Sequence, residues 1–184
     1  EGIELRQAGL SQPILILGYT RPENAAALSV NGLTAALPGL CEAQALSAQA
    51  EKAGVTVKAH LKIDTGMSRI GFCPAHDFEG AIAQMEEAAA LPGLQVTGAF
   101  THFAVSDSAA EEDRAFTQGQ FQLFTRCIQQ LRQNGVFLEC VHCCNSAALI
   151  DRPEMHLSAV RPGIVLYGCP PSADLPCEGL KPLM

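Results

Sequence analysis

Apolar and polar positions follow two rhythms along the chain, and the rhythms take turns. Pro13-Ile14-Leu15-Ile16-Leu17-Gly18 is a continuous apolar run ending in glycine, as expected for a strand buried on both faces. Tyr19 and Thr20 lead into Arg21-Pro22-Glu23, where a proline near the first helical position predicts a helix running to about Asn31-Gly32. Leu33-Thr34-Ala35-Ala36-Leu37 reads as a weaker strand, because alanine is a poor strand former. A helix over about Cys41 to Ala53, stopped by Gly54, brings the chain to Val55-Thr56-Val57-Lys58-Ala59-His60-Leu61, which alternates like a strand with one buried face. Phe78, Ile82, Met85 and Ala89 then recur at helical spacing and stop before Pro92.

The same alternation continues to the end of the chain. Leu94 to Phe103 predicts a strand, with Thr101-His102-Phe103 at its end. Ser108-Ala109-Ala110-Glu111 reads as a capping box opening a helix. Thr117, Phe121, Phe124, Ile128 and Leu131 share one face of that helix, which closes at Asn134-Gly135, and Phe116, Phe121 and Phe124 are expected to pack a core. Phe137 to Cys144 and Ala159-Val160-Arg161 are the last two strands. Six strand–helix units in succession predict a parallel sheet covered by helices. Six strands fit a complete doubly wound sheet or three quarters of an eight-stranded barrel. Glu1 to Gly9 reads as the second half of a helix with no starting Met and no N-cap, and Lys181-Pro182-Leu183-Met184 stops without a closing element. A piece of a longer protein is expected, which favours the barrel.

Composition narrows the function classes. A length of 184 residues suits one domain spanning residues 1–184, and 48% hydrophobic against 17% charged residues reads as globular. A net charge of −7 with no basic cluster argues against a nucleic-acid partner. No apolar run reaches membrane-spanning length and the N-terminus lacks a signal-peptide pattern, so a soluble, cytoplasmic protein without a membrane partner is expected. Cys140-Val141-His142-Cys143-Cys144 contains a CxxC, but no second pair follows at zinc-binding spacing. The eight cysteines are therefore expected to be small buried residues in a reducing compartment, with no metal site.

The candidate chemistry lies at the strand ends. Lys62, Asp64 and Arg69 follow one strand within eight residues, in a loop bracketed by Gly66 and Gly71. Thr101 and His102 follow the next, Asn145 and Ser146 the one after, and Arg161 and Gly163 the last. In a parallel sheet all of these converge on one rim, where ligands bind. Ser146 and the amides around Gly163-Ile164 could hold a phosphate, while no P-loop or GxGxxG supports a nucleotide.

The stretch from Lys62 to Gly71 resembles the central motif of the alanine racemases, fold-type III pyridoxal-phosphate enzymes. Thr101-His102-Phe103-Ala104, His142 through Ala148, and Val160 through Gly168 are similar to the family's later barrel motifs, in order, and Ile14 to Gly18 is similar to its third strand. The resemblance implies an incomplete TIM-type (β/α)8 barrel carrying about six of eight parallel strands, strands 3–8, without the N-terminal strands or the C-terminal β-domain. It implies pyridoxal 5'-phosphate as cofactor, an amino-acid substrate, a homodimer in the full-length parent, and interconversion of L- and D-alanine for peptidoglycan.

By the same resemblance, Arg161 faces the pyridine nitrogen and, never being an acid at neutral pH, keeps it unprotonated. His102 would hydrogen-bond and position Arg161, and Arg69 would reach the phenolic oxygen. Ser146, Gly163 and Ile164 would bind the phosphate with Asn145 in support. Lys62 stands where some members carry a carbamylated lysine that orients the arginine. The family's Schiff-base lysine lies upstream of Glu1, and the tyrosine base of the opposite face comes from the C-terminal domain of the other subunit. This chain by itself is therefore expected to be inactive. A racemase of serine or another amino acid, and a non-catalytic pyridoxal-phosphate carrier, are the alternatives.

Overall fold

The computed structural model describes residues 1–175, 177 and 179–183. Five parallel strands lie side by side in chain order: β1 (Ile14–Leu15), β2 (Leu33–Leu37), β3 (Val57–Lys62), β4 (Leu94–Phe100) and β5 (Cys140–His142). Between them run α1 (Gly2–Gln7), α2 (Ala25–Val30), α3 (Leu40–Ala53), α4 (Phe78–Ala90), α5 (Glu111–Gln133) and α6 (Ser146–Asp151), with α1 ahead of β1 and α6 after β5. Every connection is a crossover, and the sheet curls into an open half-barrel, an incomplete (β/α)8 barrel. Short 3-10 turns, Pro22–Asn24, Pro153–Met155 and Ile164–Tyr167, complete the fold.

The sixth expected strand is reduced to a single bridge. Ala159 pairs with His142, and the chain then leaves the sheet at Arg161-Pro162, where proline offers no amide to a ladder. The strands at both edges are also shorter than the apolar runs suggest, two residues in β1 and three in β5. The alanine-rich β2 forms because its neighbours cover it on both faces: Ala35 and Ala36 are buried, and burial outweighs intrinsic preference.

The core lies between sheet and helices. Leu37, Leu61, Ile63 and Val141 meet Leu46, Met85, Phe124 and Leu131 there, with neighbouring helices packed in chain order. Two details of α5 differ from expectation. Its N-cap is Ala110, with no side-chain cap, because the Ser108 hydroxyl instead accepts from the Ala110 amide one residue too early for a box. Phe116 is 46% exposed and lies beside Gly66, whereas Phe121 and Phe124 do join the core. Of the cysteines only Cys127, Cys143 and Cys144 are fully buried; Cys41, Cys73 and Cys169 are exposed, since their positions fall on the helix and loop surfaces. No helix among the described residues is long and apolar enough to cross a membrane.

Candidate active site

Strand register builds the floor of the site. Lys62, Phe100 and His142 are partners across β3, β4 and β5 at the carboxyl edge of the sheet. Side chains alternate faces along a strand, so His60, Gly98 and Cys140 form the next row on the same concave face. Leu61, Ala99 and Val141 face the helices instead. The Phe100 ring stacks on His142 with centroids 5.1 Å apart and planes 2° apart, and both Lys62 and Arg161 approach the same phenyl ring.

Beyond β3 the loop is organised by one carboxylate. Asp64 accepts from the amides of Gly66 and Ser68 at 3.0 Å and of Arg69 at 2.8 Å. Burial pushes this carboxyl up, but the three amides and the Lys62 ammonium outweigh it and hold the acid below its ordinary range. The loop then returns to the strand: Phe72 donates to the Lys62 carbonyl and accepts from the Asp64 amide. Arg69 is thereby fixed at its backbone while its side chain stays exposed at the rim.

Lys62 is 2% exposed, and its ammonium donates to the Ile63 carbonyl at 3.2 Å. Burial lowers its pKa to about 8; Asp64 opposes this, and Arg161 and Arg69 reinforce it. His102 is also lowered, to about 4, first by burial and then by Arg161, Arg69 and Lys62, so its ring is neutral at pH 7.

Arg161 is held at three points. Its Nη2 donates to the carbonyls of Thr101 at 2.7 Å and Cys143 at 3.0 Å, and its Nη1 donates to His142 Nδ1 at 2.5 Å. His102 is not among these partners, which corrects the expectation that it positions Arg161. The two histidines end neighbouring segments in similar contexts, and only register decides between them: the β4–β5 pairing sets His142 beside Arg161. Phe100 and His60 are further participants whose side chains carried no separate signal in the sequence, although the period-2 alternation of His60 with Lys62 was visible.

The phosphate candidates also meet. Gly163 donates its amide to Ser146 Oγ at 2.8 Å, which leaves the hydroxyl hydrogen free for another acceptor. Ile164 begins a 3-10 turn, so its amide has no partner within that turn. Asn145 caps α6 by accepting from the Ala148 amide, and it also accepts from Ser106. Lys62, Arg69, His102, Asn145, Ser146, Arg161, Gly163 and Ile164 all line one cavity of about 520 Å³, whose sole acidic lining residue among the described residues is Asp107. Three cations, a hydroxyl and a free amide around such a cavity suit an anionic ligand of small-molecule size.

A half-barrel of parallel strands with a cation-lined cavity on its carboxyl rim is, by fold, part of a (β/α)8 barrel, with the cavity where such barrels place their sites. The chain belongs to the alanine racemase family: residues 1–171 match the family model for the alanine racemase N-terminal domain. The alanine racemase of Desulfovibrio desulfuricans is 46% identical over 185 residues, covering 100% of this chain and 48% of that protein. A solved alanine racemase of Clostridium difficile in complex with cycloserine superposes with a TM-score of 0.88 at 37% identity, over 98% of this chain and 49% of the other. The histidine racemase of Leuconostoc mesenteroides superposes with a TM-score of 0.80 at 29% identity, over 98% of this chain and 47% of the other. The chain thus spans about half the length of the curated relatives it matches.

Proposed function

We propose that residues 1–184 are part of the pyridoxal-phosphate-binding barrel domain of a full-length, homodimeric cytoplasmic racemase that interconverts L- and D-alanine and supplies D-alanine for peptidoglycan. The observation that carries this reading is the meeting of all eight candidate residues on one cation-rich cavity. Family membership supports the cofactor, and the donor set fits it: a phosphate dianion suits the Ser146 hydroxyl, the amides of Gly163 and Ile164, and the surrounding positive charge.

When bound, pyridoxal phosphate withdraws electrons from an amino acid's α-carbon and makes its hydrogen removable. Arg161 would offer the cofactor ring a permanent donor and no proton, a bias toward returning the proton to the same carbon. Arg69, fixed through its amide by Asp64, brings an exposed positive charge to the rim that would serve the phenolic oxygen or a substrate carboxylate. His102 contributes a neutral ring to the cavity wall. Lys62, with a pKa near 8 and cations around it, has enough neutral amine to add carbon dioxide: an N–C bond forms, one proton leaves, and the resulting carbamate gives Arg69 an anionic neighbour.

Proton removal on one face and return on the other need two bases. In this reading neither base lies within residues 1–184, so the chain alone is inactive. Racemisation assays on the whole protein with alanine, serine and histidine test the assignment. Preferential turnover of L- and D-alanine is expected, and faster turnover of another amino acid would overturn the substrate. A racemase of a different amino acid is the second reading, supported by the histidine racemase among the solved neighbours.

A further inference from the structure

His60 lies one row below the cavity floor, on β3, and does not line that cavity itself; with His142 and Arg161 it lines a neighbouring one of about 600 Å³. Its Nδ1 is 3.3 Å from His142 Nε2, although β4 runs between the two strands. The gap is bridged because the intervening residue is Gly98, the register partner of both His60 and Cys140. A Cβ on Gly98 would stand 2.7 Å from the His60 ring and 2.2 Å from the Cys140 carbonyl. A register shift between Ala59 and His60 sets this glycine, rather than Thr97, opposite the ring.

Proton counting then fixes both rings. A guanidinium only donates, so His142 Nδ1, which faces Arg161 Nη1, is an acceptor. Neutral His142 therefore carries its hydrogen on Nε2, and that hydrogen points at His60 Nδ1. His60 in turn must be the Nε2–H tautomer. Without His60 the Nε2–H of a ring only 2% exposed would lose this partner and the fixed direction it gives the ring.

We propose that His60 is a positioning residue for Arg161, holding the neutral His142 ring flat on Phe100 by accepting its Nε2–H. Burial, first among the causes, lowers His60 to about 4 and His142 to about 3, in keeping with two neutral rings. The kinetic part of the inference rests on Arg161 serving the bound cofactor; the hydrogen-bond part does not.

Histidine-selective 15N NMR on the whole, cofactor-free protein tests the hydrogen bond directly. His142 is expected as a single tautomer, protonated at Nε2, with that hydrogen protected from solvent exchange. A charged His142, or one protonated at Nδ1 alone, would overturn the proposal without any variant. Two substitutions separate acceptor from filler. Asparagine places an oxygen near the Nδ1 position, so His60→Asn should keep the protected hydrogen and change kcat less than about twofold, whereas His60→Leu should lose it and lower kcat by about tenfold, with KM little changed. Equal losses in both variants, or none in either, would refute the role. Retained protection in wild type with no activity on any amino acid would instead refute the racemase reading and leave the hydrogen bond standing.

Discussion

Gly71 lies against Asp64 so closely that a Cβ there would stand 2.7 Å from the Asp64 amide nitrogen and 2.8 Å from the Lys62 carbonyl oxygen. The contact exists because the loop after β3 returns to its own strand, with Phe72 bonded to both residues. Gly71 also has a φ of +135°, a conformation that side-chain-bearing residues rarely adopt. Gly71→Ala is therefore expected to destabilise the protein by about 2–4 kcal/mol, strain and displaced backbone acting together. A shift of the urea midpoint checks this; an unchanged midpoint would show that the return of the loop is not tight.

Asp64 controls the same loop through charge. Its folded pKa is depressed, so its contribution is fully present above the unfolded value of about 3.9 and is lost as pH falls toward and through the folded value. Asp64→Asn keeps one acceptor oxygen but turns an amide group toward a backbone N–H, and should cost about 1–3 kcal/mol at pH 7. The acid limb of the stability curve should flatten in the variant. Parallel acid limbs for wild type and Asp64→Asn, read by urea unfolding from neutral pH downward, would contradict the amide cradle.

Lys62 works in the opposite sense. Its folded pKa near 8 lies below the unfolded value, so the unfolded chain binds more protons between about pH 8 and 10 and stability rises through that window. Lys62→Met removes the buried charge. It should raise stability at pH 7 by roughly 1–3 kcal/mol while removing this rise at alkaline pH. Urea unfolding of both proteins at neutral and alkaline pH provides the check, and an equal alkaline gain in the two would place the titration elsewhere. In 13C-bicarbonate at pH 8 the wild type is expected to show a carbamate signal that the variant lacks.

Much of this was readable in the residues themselves. The order of strands and helices followed from period-2 and period-3.6 alternation, and the rim residues from polar side chains at strand ends. What escaped was whatever depends on lateral register. His142 and His102 both follow apolar runs, and nothing along the chain says which faces Arg161; the pairing of Phe100 with His142 does. The sixth strand failed for a similar reason, since a pattern of three residues fits a strand whether or not a neighbour extends far enough to pair with it. Ser108 shows the converse: its spacing to Glu111 fits a capping box, but the helix, with Ala110 as its N-cap, starts two residues later than the box requires.

Gln120 on α5 joins the two loops that carry the rim. Its Oε1 accepts from the Ala104 amide at 2.9 Å, and its Nε2 donates to the His102 carbonyl and the Thr65 hydroxyl, each at 3.3 Å. Thr65 is bonded in turn to Thr101 at 2.8 Å, so one amide ties the loop bearing Arg69 to the loop bearing His102. Because Gln120 is 2% exposed, water cannot take over these bonds. Gln120→Leu should cost about 2–3 kcal/mol through the stranded Ala104 amide and loosen both loops. Gln120→Glu keeps an acceptor for Ala104 but sets a carboxylate against the His102 carbonyl. It should therefore recover part of that loss only at acid pH, where the carboxyl regains a donor. Hydrogen exchange at Ala104 and Arg69 reads the two loops separately, and protection at Ala104 surviving in Gln120→Leu would rule the clasp out.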